Sequence, residues 1–233
     1  MIAVIVPAHD EEQLIGRCLQ SIQVAAAQPW LRGEPVLTIV ALDDCSDGTA
    51  SICADYGIAT VVLDQQCVGA ARAAAAAYAL TLGARWIAST DADTVVPPEW
   101  LWKQARFGAD AFCGVVEVDD WQDYPIAVQA AFLGGEATCD GHRHIHGANM
   151  GISASAYQAA GGFPSLSTGE DVALITALIE AGAAIAWHAQ PTVLTSARRL
   201  AKAPHGFSGF LRALECEVIS AGCTLPPTQI MSK

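Results

Sequence analysis

At 233 residues the chain is long enough for one large domain that buries a core without disulfide or metal support. Hydrophobic residues make up 52% and charged residues 15%, which excludes a disordered chain. A formal net charge of −12 argues against nucleic acid or anionic lipid as a partner, because the one basic cluster, Arg198-Arg199 with nearby Lys202, is small.

Met1 leads directly into an apolar first strand at 2–6, with no basic start and no cleavage site, so the sequence predicts no signal peptide and a cytoplasmic location. A helix follows at 13–27, where Leu14, Cys18 and Ile22 recur at the four-residue spacing of one buried face. Further strands are predicted at 36–42, 60–63 and 86–89, and further helices at 49–56 and 69–82. The longest apolar stretch, Ala73 to Ala84, is too short for a bilayer, which takes roughly 20 residues. Continuous apolar strands separated by helices imply an α/β fold with a mainly parallel sheet covered on both faces. The second half is less regular, with a strand predicted at 112–118, helices at 125–133 and 171–181, a strand at 184–187 and a terminal helix at 207–219. No internal repeat or long linker divides the chain. None of the eight cysteines forms a C-x-x-C pair, and they read as reduced, mostly buried small hydrophobes.

Ligands bind at the carboxyl ends of parallel strands, and here those ends carry three acidic loops. They are Pro7-Ala8-His9-Asp10-Glu11-Glu12, Asp43-Asp44-Cys45-Ser46-Asp47-Gly48-Thr49 and Thr90-Asp91-Ala92-Asp93. Helix capping accounts for Asp47 and Thr49. It does not account for Asp91 and Asp93, because Pro97-Pro98 stand between them and the next helix. An Asp-x-Asp pair at a strand end suits a hard divalent ion, Mg²⁺ or Mn²⁺, whose open positions can hold a diphosphate.

Together these segments resemble the family 2 glycosyltransferases of the GT-A fold. The first loop is similar to that family's P-x-x-N-E-E, the second to its D-D-x-S-x-D-G-T, and Asp91-Ala92-Asp93 to its metal motif. Gly69-Ala70-Ala71-Arg72, Gly147-Ala148-Asn149-Met150, Gly161-Gly162-Phe163 and Glu170-Asp171 match further family segments in the same order. The resemblance implies one GT-A domain over 1–233, with a nucleotide-sugar-binding half at 1–110 and an acceptor-binding, catalytic half at 111–233. It implies that Pro7, Ala8, Glu11, Asp44, Arg72, Asp91 and Ala92 hold the donor, with Asp44 at the base edge and Arg72 near the base or diphosphate. It further implies Asp93 and Asp91 as metal ligands, Asp171 as general base, Glu170 beside it, and His146 and Asn149 on the acceptor. The activity implied is inverting transfer of a sugar, uridine- or guanosine-diphosphate-linked, to an unidentified acceptor hydroxyl.

Other features leave alternatives open. His142, His144 and His146 alternate within a glycine-rich stretch, 134–147, and suit a zinc site, an acceptor loop or, for His142, plain exposure. His188 is a further candidate metal ligand, and Thr195, Ser196, Arg198 and Arg199 suit a phosphate or carboxylate. Phe207, Phe210, Leu211 and Leu214 form a helical stripe suited to core packing or a homodimer contact, with peripheral attachment to a lipid-linked acceptor disfavoured by the acidic charge. A sugar nucleotidyltransferase is disfavoured, because the first loop is acidic and lacks glycine. A catalytically weak sugar-nucleotide sensor stands against the presence of Asp91, Asp93 and Asp171.

Overall fold

The computed structural model describes residues 1–135, 139–199 and 206–222. Lys202, Cys223 and part of the 134–147 stretch lie outside the described residues.

The first half alternates as the hydrophobic pattern predicts. Strand β1 spans Ile2–Ala8, β2 Val36–Asp43, β3 Ala59–Leu63 and β4 Trp86–Ser89. Helices α1 (Ile15–Ala26), α2 (Thr49–Asp55) and α3 (Val68–Thr81) connect them. Side chains on a strand alternate between faces, and β1 divides accordingly. Ile2, Val4 and Val6 pack with Cys18, Leu19 and Ile22 of α1, while Ala3 and Ile5 pack with Ala71, Ala75, Ala76 and Ala79 of α3. The alanines let α3 lie close against the sheet.

The second half holds α4 (Trp100–Arg106), β5 (Ala111–Cys113), β6 (Val116–Val118), α5 (Ile126–Gly135), β7 (Met150–Ser153) and α6 (Ala154–Ala159). It continues with α7 (Glu170–Glu180), β8 (Ile185–Trp187), β9 (Val193–Thr195) and α8 (Phe207–Gly222). Seven strands form one sheet in the order β3-β2-β1-β4-β7-β5-β8, and β6 and β9 form a separate pair. Only β7 runs antiparallel to its neighbours, β4 and β5. Strand β1 lies between β2 and β4, so the chain order reverses there and opens the crevice in which such sheets take ligands.

The strand predicted at 112–118 is two strands in two sheets. The break falls at Gly114, whose N–H donates to the Asn149 carbonyl at 2.9 Å. A Cβ at that position would come within 2.3 Å of the Asn149 amide nitrogen, so only glycine lets the chain pass. Leaving the main sheet carries β6 to β9, and α5 and α8 build a third core cluster of Tyr124, Val128, Phe132, Ala197 and Leu211. Among the described cysteines, Cys18, Cys53 and Cys113 are buried and Cys45 and Cys67 partly so, while Cys139 and Cys216 are exposed. Among the described residues, no helix is long and apolar enough to cross a membrane.

Candidate active site

A cavity of about 980 Å³ opens over the carboxyl ends of β1, β2 and β4. The first two loops beside it are hydrogen-bonded to one another. Asp10 accepts the N–H groups of Ser46 and Asp47, Glu12 accepts that of Gly48, and Asp47 accepts that of Glu12. Much of the acidity of the first two loops therefore serves loop-to-loop bonding. At one end of the cavity stand Pro7, Ala8, Glu11 and Asp43. Asp43 is buried and takes three backbone N–H groups, from Gln65, Gln66 and Cys67, at 2.7 to 3.0 Å. Those bonds fix the segment before α3 and bring Gln66 and Cys67 into the cavity wall.

Asp44, expected at the base edge, lies outside the cavity lining. A φ of 53° turns its backbone, and its carboxylate accepts from the Gln66 side-chain amide instead. Its neighbour Asp43 takes the place on the wall.

Asp91, Ala92 and Asp93 occupy the middle of the cavity. Burial pushes the Asp93 carboxyl up to about 6; Arg198 opposes the shift, and the carboxylates of Asp91 and Glu11 add to it. Arg198 Nη2 lies 3.2 Å from Asp93, and its Nη1 donates to both Glu11 oxygens at 2.6 Å. One guanidinium thus offsets a pair of crowded carboxylates from the loops that follow β1 and β4. A divalent cation suits the same place, because Asp91 and Asp93 supply hard oxygen donors. Among the described residues no group of three or more His, Cys, Asp or Glu side chains could hold an ion by itself. That donor set fits Mg²⁺ or Mn²⁺, which complete their shells with water and substrate phosphate.

Arg72 lines the cavity but is held from behind by protein partners. It is 3% exposed, and its donors go to Glu170 at 2.9 Å, Asp91 at 2.6 Å, the Gly147 carbonyl at 3.0 Å and the Ser89 hydroxyl. Burial opposes its charge, but Asp91, Glu170 and Asp171 outweigh that and keep it protonated. Gly147 is required beside it, since a Cβ there would lie 2.4 Å from Arg72 Nη2.

Glu170 and Asp171 begin α7, and both line the cavity. Burial raises the Glu170 carboxyl, with Arg72 pulling the other way. Asp171 accepts the Gly147 N–H on one oxygen at 2.7 Å and the Val172 N–H on the other at 2.8 Å. Those bonds orient the carboxylate and leave a lone pair on each oxygen for a further donor. His144 and His146 line the same region with rings stacked 6.0 Å apart. His142 is buried, not exposed, packed edge-on against Trp187.

Besides Asp44, two expected site residues stand elsewhere. Asn149 is fully buried; its amide donates to the carbonyls of Val115 and Pro191, and its oxygen accepts from the Trp100 indole. It ties β7 to the break between β5 and β6, a packing role that leaves no atom for an acceptor. His188 stacks on Phe107 at 4.0 Å and pairs with Asp140 at 3.2 Å, in a small hollow separate from the Asp91-Asp93 cavity.

The model of glycosyl transferase family 2 matches residues 3–159, two thirds of the chain. The chain belongs to that family. Among curated proteins, none matches it by sequence. The family's fold is shared with S. aureus TarS 1-349 in complex with UDP-GlcNAc, at 16% identity and a TM-score of 0.65, over 94% of this chain and 66% of that one. It is shared with mannosyltransferase PcManGT from Pyrobaculum calidifontis in complex with GDP-Man and Mn²⁺, at 18% identity, a TM-score of 0.59, and coverage of 97% and 75%. Glucosyl-3-phosphoglycerate synthase from Mycobacterium tuberculosis, in complex with Mn²⁺, UDP and phosphoglyceric acid, gives 17%, 0.59, 98% and 80%. At these identities the likeness shows the GT-A fold. The present chain thus spans about two thirds of the TarS structure's length.

The family 2 motifs led to Asp91, Asp93, Glu170 and Asp171, which the structure brings to one cavity. They did not single out Asp43, Gln66 or His144. The signal for Asp43 was its doublet with Asp44, and which member faces inward depends on the backbone turn between them.

Proposed function

We propose that this family 2 chain transfers a sugar from a nucleoside diphosphate sugar to an acceptor hydroxyl with inversion at the anomeric carbon. The observation that carries this reading is the single cavity joining Asp43, the Asp91-Asp93 pair and Asp171. Residues 1–110 hold the donor, with Asp43 and Gln66 near the base and Asp91 toward the ribose and sugar. Residues 111–233 supply Asp171 and the acceptor wall, with Arg198 reaching across to the diphosphate. A uridine nucleotide is the favoured donor, as in the TarS and glucosyl-3-phosphoglycerate synthase complexes, with guanosine, as in PcManGT, the competitor.

In this mechanism Asp171 accepts the proton of the acceptor hydroxyl as that oxygen attacks the sugar from the face opposite the diphosphate. Glu170 stays on Arg72 and holds the start of α7 in register with Asp91. Asp91 and Asp93 would hold Mg²⁺ or Mn²⁺, which supplies positive charge to the diphosphate. Arg198 can leave Glu11 and Asp93 to pair with the same group, since a guanidinium matches phosphate oxygens with two parallel bonds. Turnover of a panel of UDP- and GDP-sugars, with Mn²⁺ and with chelator, tests the reading. A product that kept the donor's anomeric configuration would refute inversion, and failure of every nucleotide to bind would refute the donor assignment.

A further inference from the structure

The cavity has a second character at its far end. Beyond Asp171 and Thr195 its wall is made by α5 and α8, through Phe132, Phe207, Phe210, Leu214 and Ala131, with no charged side chain among them. The three phenylalanine rings contact one another, at centroid distances of 5.8 to 6.3 Å. Phe132 is buried, but Phe210 is 49% exposed although Leu211 beside it is fully buried, so the apolar wall runs out of the cavity to the surface. The wall is held firmly: Arg199 pairs with Asp123 at 2.6 Å and with Glu215 at 2.7 Å, and lies over the Tyr124 ring. Those contacts tie α8 to the segment that leads into α5.

The volume supports a second substrate. At about 980 Å³ the cavity stands at the upper end of the roughly 300–1,000 Å³ of small-molecule sites. A nucleotide sugar at the acidic end has no use for a wall of phenylalanines, and the Glu170 and Asp171 carboxylates that line the same cavity disfavour an anionic headgroup. The geometry points to an acceptor that is an uncharged alcohol on a long apolar chain. Its hydroxyl meets Asp171, and its chain lies along Phe132, Phe207, Phe210 and Leu214 toward the open side. This rests on the donor and base assignments above and adds the substrate class of the other half of the site.

The test uses the whole chain with saturating nucleoside diphosphate and Mn²⁺, and straight-chain alkyl glycosides from butyl to decyl, below their micellar concentrations. Each added methylene should tighten binding about threefold to fourfold until the chain outgrows the wall. Phe210→Ser, at a half-exposed position, should flatten that series without lowering the melting temperature, and Phe210→Leu should restore it. An affinity independent of chain length overturns the proposal. So does a chain-length series that survives Phe210→Ser, or a dimer that Phe210→Ser splits while the series is flat. Nucleotide binding on the same samples separates the two readings. Its loss strikes the donor assignment, whereas retained nucleotide binding with a flat alkyl series overturns the apolar subsite alone.

Discussion

Arg72 joins Asp91 to Glu170, its Nη2 lying 2.6 Å from the first carboxylate and its Nε 2.9 Å from the second. Asp91 follows β4 and Glu170 begins α7, so one buried guanidinium sets the distance between the Asp91-Asp93 loop and the helix that carries Asp171. Arg72→Met should destabilise the fold by about 3–5 kcal/mol, because Glu170 is left buried without a partner. Arg72→Lys should cost about 1–3 kcal/mol, because an ammonium lacks the fork that reaches both acids. Urea denaturation measures both, and a methionine variant with the wild-type midpoint would show that the bridge contributes nothing.

Asp93 makes the stability of the ligand-free chain depend on pH. Its carboxyl is raised from 3.8 to about 6, chiefly by burial. The fold therefore favours the protonated form, and stability falls as pH rises from the unfolded value through the folded one. The full penalty, about 1–3 kcal/mol, is present at neutral pH. Asp93→Asn should raise the melting temperature at neutral pH and leave it unchanged near pH ~4. Mn²⁺ should stabilise the wild type at neutral pH, less at pH ~5, and Asp93→Asn at neither, because protons compete for the ligand oxygens. Equal Mn²⁺ shifts in the two proteins would remove Asp93 from the metal site.

Asp171→Asn keeps an oxygen for the Gly147 N–H but removes the proton acceptor. Transfer should fall by about 10²–10⁴, the usual contribution of a positioned base. Nucleotide affinity should change less than about threefold, or roughly 0.7 kcal/mol. Single-turnover kinetics with a competent acceptor separate these quantities. Near-normal transfer by the variant would assign the proton elsewhere.

Asn149 should behave as a packing residue. Asn149→Ala strands the Trp100 indole N–H and the Val115 and Pro191 carbonyls, and should cost about 2–4 kcal/mol of stability. Below its melting temperature the variant should keep the acceptor KM of the wild type. A raised KM with unchanged stability would return Asn149 to the acceptor site.

Hydrophobic periodicity placed β1 to β4 and α1 to α3 within a few residues, because β1, β2 and β4 lie inside the sheet and are apolar nearly throughout, while β3, at its edge, alternates with exposed positions. The same regularity located the loops that carry Asp91 and Asp93, since loops at strand ends follow from where the strands stop. Glu170 and Asp171 were legible through their position at a helix start within a family pattern. What the sequence could not determine is which acid meets which base. Arg72 and Glu170 are 98 positions apart, and Glu11 and Arg198 are 187 apart. No local pattern encodes such pairs, because a guanidinium can serve a ligand or a neighbouring carboxylate equally well. Asp43 against Asp44, Asn149 in the core and the splitting of 112–118 at Gly114 were decided the same way. Each depends on a backbone turn or a close approach from a distant strand, and burial, which sets whether a polar group needs a protein partner, exists only once the chain has folded.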